Sequence, residues 1–449
     1  MNITLEGKEN SLAQNNGPSS EGKYRVAAIP SKSHAHRLLF ASALSDKECK
    51  LFLSTSSKDI DATRSCMESL GAKIDSIKGG LLVHPISLLN LKEQNTSTPI
   101  SLDCGESGST LRFLLPVIGA LGLPAEIHMH GKLPERPLSP LYEEMEKHGI
   151  SFAPQGSNPL SMKGKMTGGL FRIAGNISSQ FITGLLLACP LLKEDSRIKV
   201  LGEMTSRPYI DITLEVIRQF GIEVLEDEDN QTFYIKGNQT YHGADSIQVT
   251  GDWSNAAFFL SAGALLKEPV TLTGLDPSSL QGDKEIVSIL RRFGAKVTQG
   301  PHSFTICGNE LHGINIDAEN IPDLVPILSL VAALAKGETR ISHIARLRIK
   351  ESDRVASIMN TLIRLGANIR EEDNTLIIEG VESLHTASIS SYNDHRIAMM
   401  AAIASLRTEG SVTIEGAEAV QKSYPAFFED FAIFSLCIST SFKVSRTKM

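Results

Sequence analysis

No stretch of this sequence is apolar for long enough to cross a bilayer. The longest apolar runs, such as Phe181 to Leu192, fall far short of the ~20 residues a spanning helix needs. A basic excess is missing too: 44 lysines and arginines face 51 aspartates and glutamates, a formal net charge of -7. Such a chain has no general field to draw in a polyanion, so no nucleic-acid or membrane partner is expected, and an anionic ligand must be held by a local group of cations. The six cysteines (Cys49, Cys66, Cys104, Cys189, Cys307 and Cys437) are scattered without a C-x-x-C pair. Neither a zinc site nor a disulfide framework is suggested, and a reduced, cytoplasmic protein fits. The start, Met1-Asn2-Ile3-Thr4-Leu5-Glu6, has no basic region followed by an apolar core, so a secretory leader is not expected. The chain also lacks a G-x-S-x-G elbow and a G-x-x-x-x-G-K-S/T loop, which leaves serine hydrolase and P-loop chemistry without support. His34 and His36 stand two apart with no cluster of carboxylates or cysteines, an arrangement that argues against a metal site.

What is present is ordinary in bulk and unusual in order. Hydrophobic residues make up 41% and charged residues 21% of 449, which predicts two or more globular domains with real cores. One signature recurs: a helix end running through glycine into a strand, at Leu70-Gly71-Ala72, His148-Gly149-Ile150, Phe220-Gly221-Ile222, Phe293-Gly294-Ala295 and Leu365-Gly366-Ala367. The glycines step by 78, 72, 73 and 72 residues, and each fits the position after a helix where the left-handed conformation is needed. A second signature, a small-residue helix followed by a tight turn and a β-branched strand, recurs six times between Leu38 and Gly416. The pattern predicts a βαβαββ unit, six copies of it, split into two groups of three.

The residues before each of these helices are polar: Pro30 to Arg37, Gly105 to Thr110, Asn176 to Gln180, Gly251 to Asn255, Asn320 to Asp323 and Tyr392 to Arg396. Serine, aspartate and asparagine there are ordinary N-caps. Helix N-termini also bind phosphate or carboxylate, and pseudo-symmetric packing would bring these ends together. Lys32, Arg37, Gln180 and Arg396 go beyond what capping requires. The stretch Leu347 to Arg354 carries the same message: on a helix Lys350 and Arg354 share a face, with Glu351 beside them, which suits an anionic substrate that exchanges a proton. The bland alternative is an exposed helix with intrahelical ion pairs. Gly105 to Arg112 reads as a loop whose N–H groups can approach a phosphate, Glu135-Arg136-Pro137 as an arginine held out of helix, and Lys422 as one more cation. Asp323, after Pro322, reads as a helix cap with a lowered pKa that could serve as a base. Asn10 to Gly22 reads as a loose loop, and the tail from Phe431 to Met449 carries no functional signal.

Eleven short motifs, from Ser31-Lys32-Ser33 and the Gly108 to Arg112 loop through Ser178-Ser179-Gln180, Ser206-Arg207-Pro208-Tyr209, Gln281-Gly282-Asp283, Lys350 to Arg354 and Asn393 to Arg396 to Lys422-Ser423-Tyr424-Pro425, stand in one order. In this the chain resembles the 5-enolpyruvylshikimate-3-phosphate synthase family of enolpyruvyl transferases, from about Ile3 to Phe431. The resemblance implies an α/β, two-domain fold, each domain three βαβαββ repeats with helices inside and sheets outside. Residues 1–30 with 250–449 would form one domain and 31–249 the other, with the active site in the cleft. It implies transfer of the enolpyruvyl group of phosphoenolpyruvate to the 5-hydroxyl of shikimate 3-phosphate, with no cofactor and no metal, by a cytoplasmic monomer. Lys32, Ser33, Arg37, Ser178, Ser179, Gln180, Ser206, Tyr209, Asp323 and Lys350 would hold shikimate 3-phosphate. Lys32, Gly108, Arg136, Gln180, Arg354, Arg396 and Lys422 would hold phosphoenolpyruvate, with Asp323, Glu351 and Lys32 catalytic. The chain departs from the family pattern at Glu106, commonly Asn, at Phe113, commonly Pro, and at Arg346, often Asn. Alternatives are a UDP-N-acetylglucosamine enolpyruvyl transferase, whose Gly-Ala-Lys-Asn start and loop cysteine are missing here, a fold related to RNA 3′-phosphate cyclase, and a non-catalytic anion-binding repeat scaffold.

Overall fold

The computed structural model describes residues 1–6, 24–87 and 98–434. Cys437, the Asn10 to Gly22 stretch and most of the tail therefore lie outside the described residues. The chain divides into two compact units, one of residues 1–29 and 250–449, the other of residues 30–249.

The repeat is complete in three places without rearrangement. In the second unit one copy runs strand Ile100–Asp103, helix Gly108–Leu121, strand Ala125–His128, helix Leu141–Lys147, strands Ile150–Phe152 and Leu160–Gly164. The first two strands pair parallel, the second pairs antiparallel with the fourth, and the fourth antiparallel with the third. The copy from Gly169 to Ile235 and, in the first unit, the copy from Asn315 to Glu379 repeat this order. Where the chain passes between units, leading strands are exchanged. Tyr24–Ala27 precedes helix Lys32–Ala43 but pairs with Val270–Thr273, while Ser246–Gln248 pairs with Cys49–Phe52. The sixth copy, Leu384–Ser390, helix His395–Ala404 and Thr408–Glu415, has no second helix before its strands end, and Asn2–Glu6 completes it as a three-stranded sheet.

Local chemistry sets these boundaries. All five signature glycines take positive φ, from +77° to +113°. At Gly294 the Ala295 N–H returns to the Leu290 carbonyl at 3.0 Å, closing the helix end, and a Cβ would sit 2.5 Å from the Glu310 carbonyl oxygen. The sixth copy lacks this glycine because it lacks the helix that the glycine ends.

The first helix of each repeat lies inside its unit. Every residue of Val325–Ala333 and of His395–Ala404 is buried. The second helices are two-faced: Ile286–Phe293 buries Ile286, Ile289, Leu290 and Phe293 at helical spacing and turns Arg291 and Arg292 outward. Each unit has its own hydrophobic core. At about 1.5–3 kcal/mol for each fully buried aliphatic or aromatic side chain, the small-residue helices fix the interior and leave their polar N-terminal ends to function.

Candidate functional site

In five of the six repeats the predicted cap is the observed one. Ser31, Ser107, Ser178, Asp252 and Asp394 each accept a backbone N–H from the first turn of the following helix. Asp323 is the exception and corrects the sequence reading: helix Val325–Ala333 is capped at Leu324, and Asp323 lies just outside it.

In the second unit hydrogen bonds join the three inner helix starts. His36 Nδ1 and Thr63 Oγ1 lie 2.7 Å apart, Thr63 bonds Thr110 at 2.7 Å, and Thr110 donates to Ser107. Gln180 donates to Ser109 Oγ and accepts from Arg112, both at 2.9 Å. Arg37 is buried and reaches Thr213 Oγ1 (2.8 Å), Thr183 Oγ1 (3.3 Å) and the carbonyls of Ser33 (2.7 Å) and Tyr209 (2.8 Å), with its guanidinium over the Phe113 ring. Burial lowers its pKa to about 9. Arg37 thus fixes the backbone at two other expected substrate holders, Ser33 and Tyr209. Ser206 stands in the left-handed region at φ 57°, a strain that a non-glycine residue keeps only where the surroundings impose it. Lys32, the first residue of its helix, pairs with Asp59 at 2.8 Å. Arg136 is extended before Pro137, as expected, and its guanidinium lies against Gly108. Glu106 packs against Gly131.

In the first unit the expected residues converge on Asp323. Its Oδ1 accepts from Arg354 Nη1 at 3.0 Å and its Oδ2 from Arg396 Nη2 at 2.8 Å, and Lys350 Nζ lies 3.9 Å from Oδ1. Arg354 also donates to Glu351 at 2.5 Å and through Nε to Asp394 at 2.9 Å. The expected helix from Leu347 through Arg354 is corrected here. Residues Ala345–Ile349 form a 3-10 turn, Lys350 is extended, and the helix begins at Arg354 behind its cap Asp353. Lys350 and Arg354 meet at Asp323 by the path of the chain rather than by helical spacing. Lys422 is buried and donates to the carbonyl of Asn393 at 2.6 Å, a residue held at φ 54°.

The electrostatics follow from burial and from these contacts. Burial alone would raise the Asp323 pKa, but Arg396, Lys350 and Arg354 outweigh it and hold the carboxyl well below the usual range. Capping is not the cause. Burial lowers the Lys350 ammonium to about 8 despite the nearby Asp323 charge. Asp283, buried and accepting from Ser254, is raised to about 7 by burial and then by the charge of Asp323. Sequence reasoning missed Asp59, whose place in the first turn after Ser57 reads as an ordinary helix-start acid, and the anchoring part of Asp394, which reads as a cap and is one.

Among solved structures, EPSP synthase from Acinetobacter baumannii matches with a TM-score of 0.78 over 99% of this chain and 100% of its own, at 24% identity. An enolpyruvyl transferase from Streptomyces tendae matches with a TM-score of 0.72 over 98% of each chain, at 15% identity. The fold is that of the enolpyruvyl transferases. Within that class, the chain belongs to the EPSP synthase (3-phosphoshikimate 1-carboxyvinyltransferase) family, whose model matches residues 19–431. A 3-phosphoshikimate 1-carboxyvinyltransferase from Clostridium perfringens is 44% identical over 92% of this chain and 96% of its own. One from Clostridium acetobutylicum is 44% identical over 89% and 92%. No helix among the described residues is long and apolar enough to cross a membrane.

Proposed function

We infer that this protein transfers the enolpyruvyl group of phosphoenolpyruvate to the 5-hydroxyl of shikimate 3-phosphate and releases phosphate, a step of aromatic amino-acid synthesis. The observation that carries the reading is the carboxylate of Asp323 set among Arg354, Arg396 and Lys350. Each substrate brings a phosphate and a carboxylate, and two unit charges near 4 Å interact by about 4 kcal/mol at an effective dielectric near 20. Holding both substrates side by side therefore needs many cations. Lys32, Ser33, Ser178, Ser179, Gln180, Ser206, Tyr209, Asp323 and Lys350 hold shikimate 3-phosphate, with Arg37 positioning Ser33 and Tyr209. Lys32, Gly108, Arg136, Gln180, Arg354, Arg396 and Lys422 hold phosphoenolpyruvate.

The course is addition followed by elimination. Asp323 accepts the proton of the 5-hydroxyl as its oxygen bonds to C2 of phosphoenolpyruvate, and Glu351, with Lys32 as partner, gives a proton to C3. The tetrahedral adduct then loses phosphate from C2, and Glu351 takes the C3 proton back, restoring the double bond. We read the protein as a cytoplasmic monomer; the free thiols of the five described cysteines fit a reducing compartment.

The test is phosphate release by the purified protein with each substrate omitted in turn. Release that needs both, and a fall in kcat of about 10²–10⁴ in Asp323→Asn, is expected. Release only with UDP-N-acetylglucosamine as acceptor, or no release with any acceptor, would overturn the reading.

A further inference from the structure

Arg354 is held by three carboxylates, Asp394, Asp323 and Glu351. Nε is held by Asp394, whose side chain is 0% exposed and which also caps helix His395–Ala404 and accepts from Ser352. Nη1 donates to Asp323 and Nη2 to Glu351, with Asp394 also reaching Nη2 at 3.4 Å; the Asp323 and Glu351 side chains are 18% and 21% exposed, while Arg354 and Arg396 are 1% and 5% exposed. The buried partner is therefore a fixed anchor, and the two partners that face solvent are the acid and the base of the reaction. The charges of this group also balance: Arg354, Arg396 and Lys350 stand against Asp323, Glu351 and Asp394. A balanced group has little net attraction for a further anion. An anion that is to bind the guanidinium nitrogens facing Asp323 and Glu351 must take over bonds that these carboxylates now hold.

We propose that phosphoenolpyruvate competes with Asp323 and Glu351 for Arg354 and Arg396, so that its binding is what frees the base and the acid for chemistry. The proposal rests on the function inferred above and adds a sequence of events to it. While Asp323 bonds both arginines, neither of its oxygens is a useful proton acceptor. Once an acid group of phosphoenolpyruvate takes these guanidinium nitrogens, Asp323 keeps its half-buried place, loses its two arginine partners and gains an anion nearby, and each change strengthens its hold on a proton. Glu351 is released from Arg354 by the same exchange. Arg354 itself does not swing away, because Asp394 keeps its Nε. Water in place of the substrate cannot bring about the exchange, which protects the site from abstracting protons without a donor bound.

The inference makes an unusual demand on the variants: removing a catalytic carboxylate must tighten, not weaken, binding of phosphoenolpyruvate. Calorimetric titration of phosphoenolpyruvate into the full chain reads this directly, without turnover. Asp323→Asn and Glu351→Gln keep size and shape while removing the competing charge, and each should lower Kd about tenfold, the order of one charge-assisted hydrogen bond. Asp353→Asn is the control for a general charge effect. Asp353 adjoins Arg354, but its carboxylate bonds Arg348 and the Ala356 N–H, and asparagine also caps a helix. It should leave Kd unchanged. Unchanged or weaker binding in both catalytic-residue variants, or equal tightening by Asp353→Asn, would overturn the proposal while wild-type phosphate release leaves the function standing. Failure of the wild type to release phosphate would overturn both.

Discussion

The guanidinium of Arg136 rests on the α-carbon of Gly108: a Cβ at that position would lie 2.6 Å from Arg136 Nη1 and 2.7 Å from Arg112 Nη1. The neighbours it would strike are the ends of flexible side chains, so Gly108→Ala can be accommodated by moving them. Alanine also suits the first turn of a helix better than glycine. The expected result is a protein of unchanged thermal midpoint whose KM for phosphoenolpyruvate rises about tenfold, the cost of displacing one charge-assisted contact. Steady-state kinetics beside a melting curve check both halves. A lowered midpoint with unchanged KM would mean that Arg136 does not serve the substrate.

Arg37 makes four hydrogen bonds to the scaffold from one buried guanidinium. Lysine carries a single nitrogen and cannot reproduce the fork, so Arg37→Lys leaves Thr213, Thr183 or the two carbonyls short of donors. Urea unfolding should show a loss of about 2–4 kcal/mol, set by buried acceptors left unpaired. The KM for shikimate 3-phosphate should rise as well, because the Ser33 and Tyr209 backbones lose their common tie.

Features controlled by a few adjacent residues were legible in the sequence. The five glycines after helices and the caps Ser31, Ser107, Ser178, Asp252 and Asp394 are decided within one turn of chain, and their spacing carried the repeat. The helix start at Arg354 was also written locally, in the cap Asp353 before an amphipathic run, and was obscured by the tempting spacing of Lys350 and Arg354. What could not be read depends on distant partners. The exchange of Tyr24–Ala27 with Ser246–Gln248 is a choice between two similar short strands more than 200 residues apart, and nothing in either strand states the choice. Asp323 could be singled out as a candidate base with a lowered pKa, but its two arginines come 31 and 73 residues later, so the cause of that low pKa could not be read.

Lys350 is expected to give the activity an alkaline limit. Burial sets its pKa at about 8, well below the 10.5 of a free lysine. Above that value the ammonium loses its charge, and with it the hold on shikimate 3-phosphate proposed for it. The ratio kcat/KM for that substrate, which reports groups of the free enzyme, should therefore fall as pH rises past about 8. Lys350→Arg keeps a charge at all accessible pH values. Its maximal rate should be lower, since the fork does not match a single nitrogen, but its alkaline limb should move up by more than one pH unit. An alkaline limb that stays at the same pH in the variant would assign it to another group.

Asp283 makes the stability of the first unit depend on pH in the direction opposite to most carboxylates. Its pKa is raised from 3.8 to about 7 by burial and by Asp323, with Arg396 and the Ser254 hydroxyl pulling the other way and Asp252 adding to the rise. Between those two values the folded protein holds a proton that the unfolded chain has released. Its contribution is therefore fully present below about pH 4 and is lost as pH rises through about 7. The full swing is of the order of a few kcal/mol, since each pK unit corresponds to about 1.4 kcal/mol. Asparagine at 283 can still accept from Ser254 and carries no charge, so Asp283→Asn should be modestly more stable than wild type at pH 5, where part of the loss has already occurred, and clearly more so at pH 7.5. The chain has a single tryptophan, Trp253, buried in this unit beside Ser254, and its fluorescence follows unfolding of the unit that contains Asp283. Urea midpoints read from Trp253 at the two pH values test the sign. Lys350, whose stability effect lies above about pH 8, does not enter that window, and Asp323, whose effect lies below the ordinary carboxylate pKa, does not enter it either. A variant that is equally stabilised at pH 5 and 7.5 would show that the Asp283 carboxyl carries its charge across the whole range, and that its unsatisfied burial, not its proton, is what the fold tolerates there.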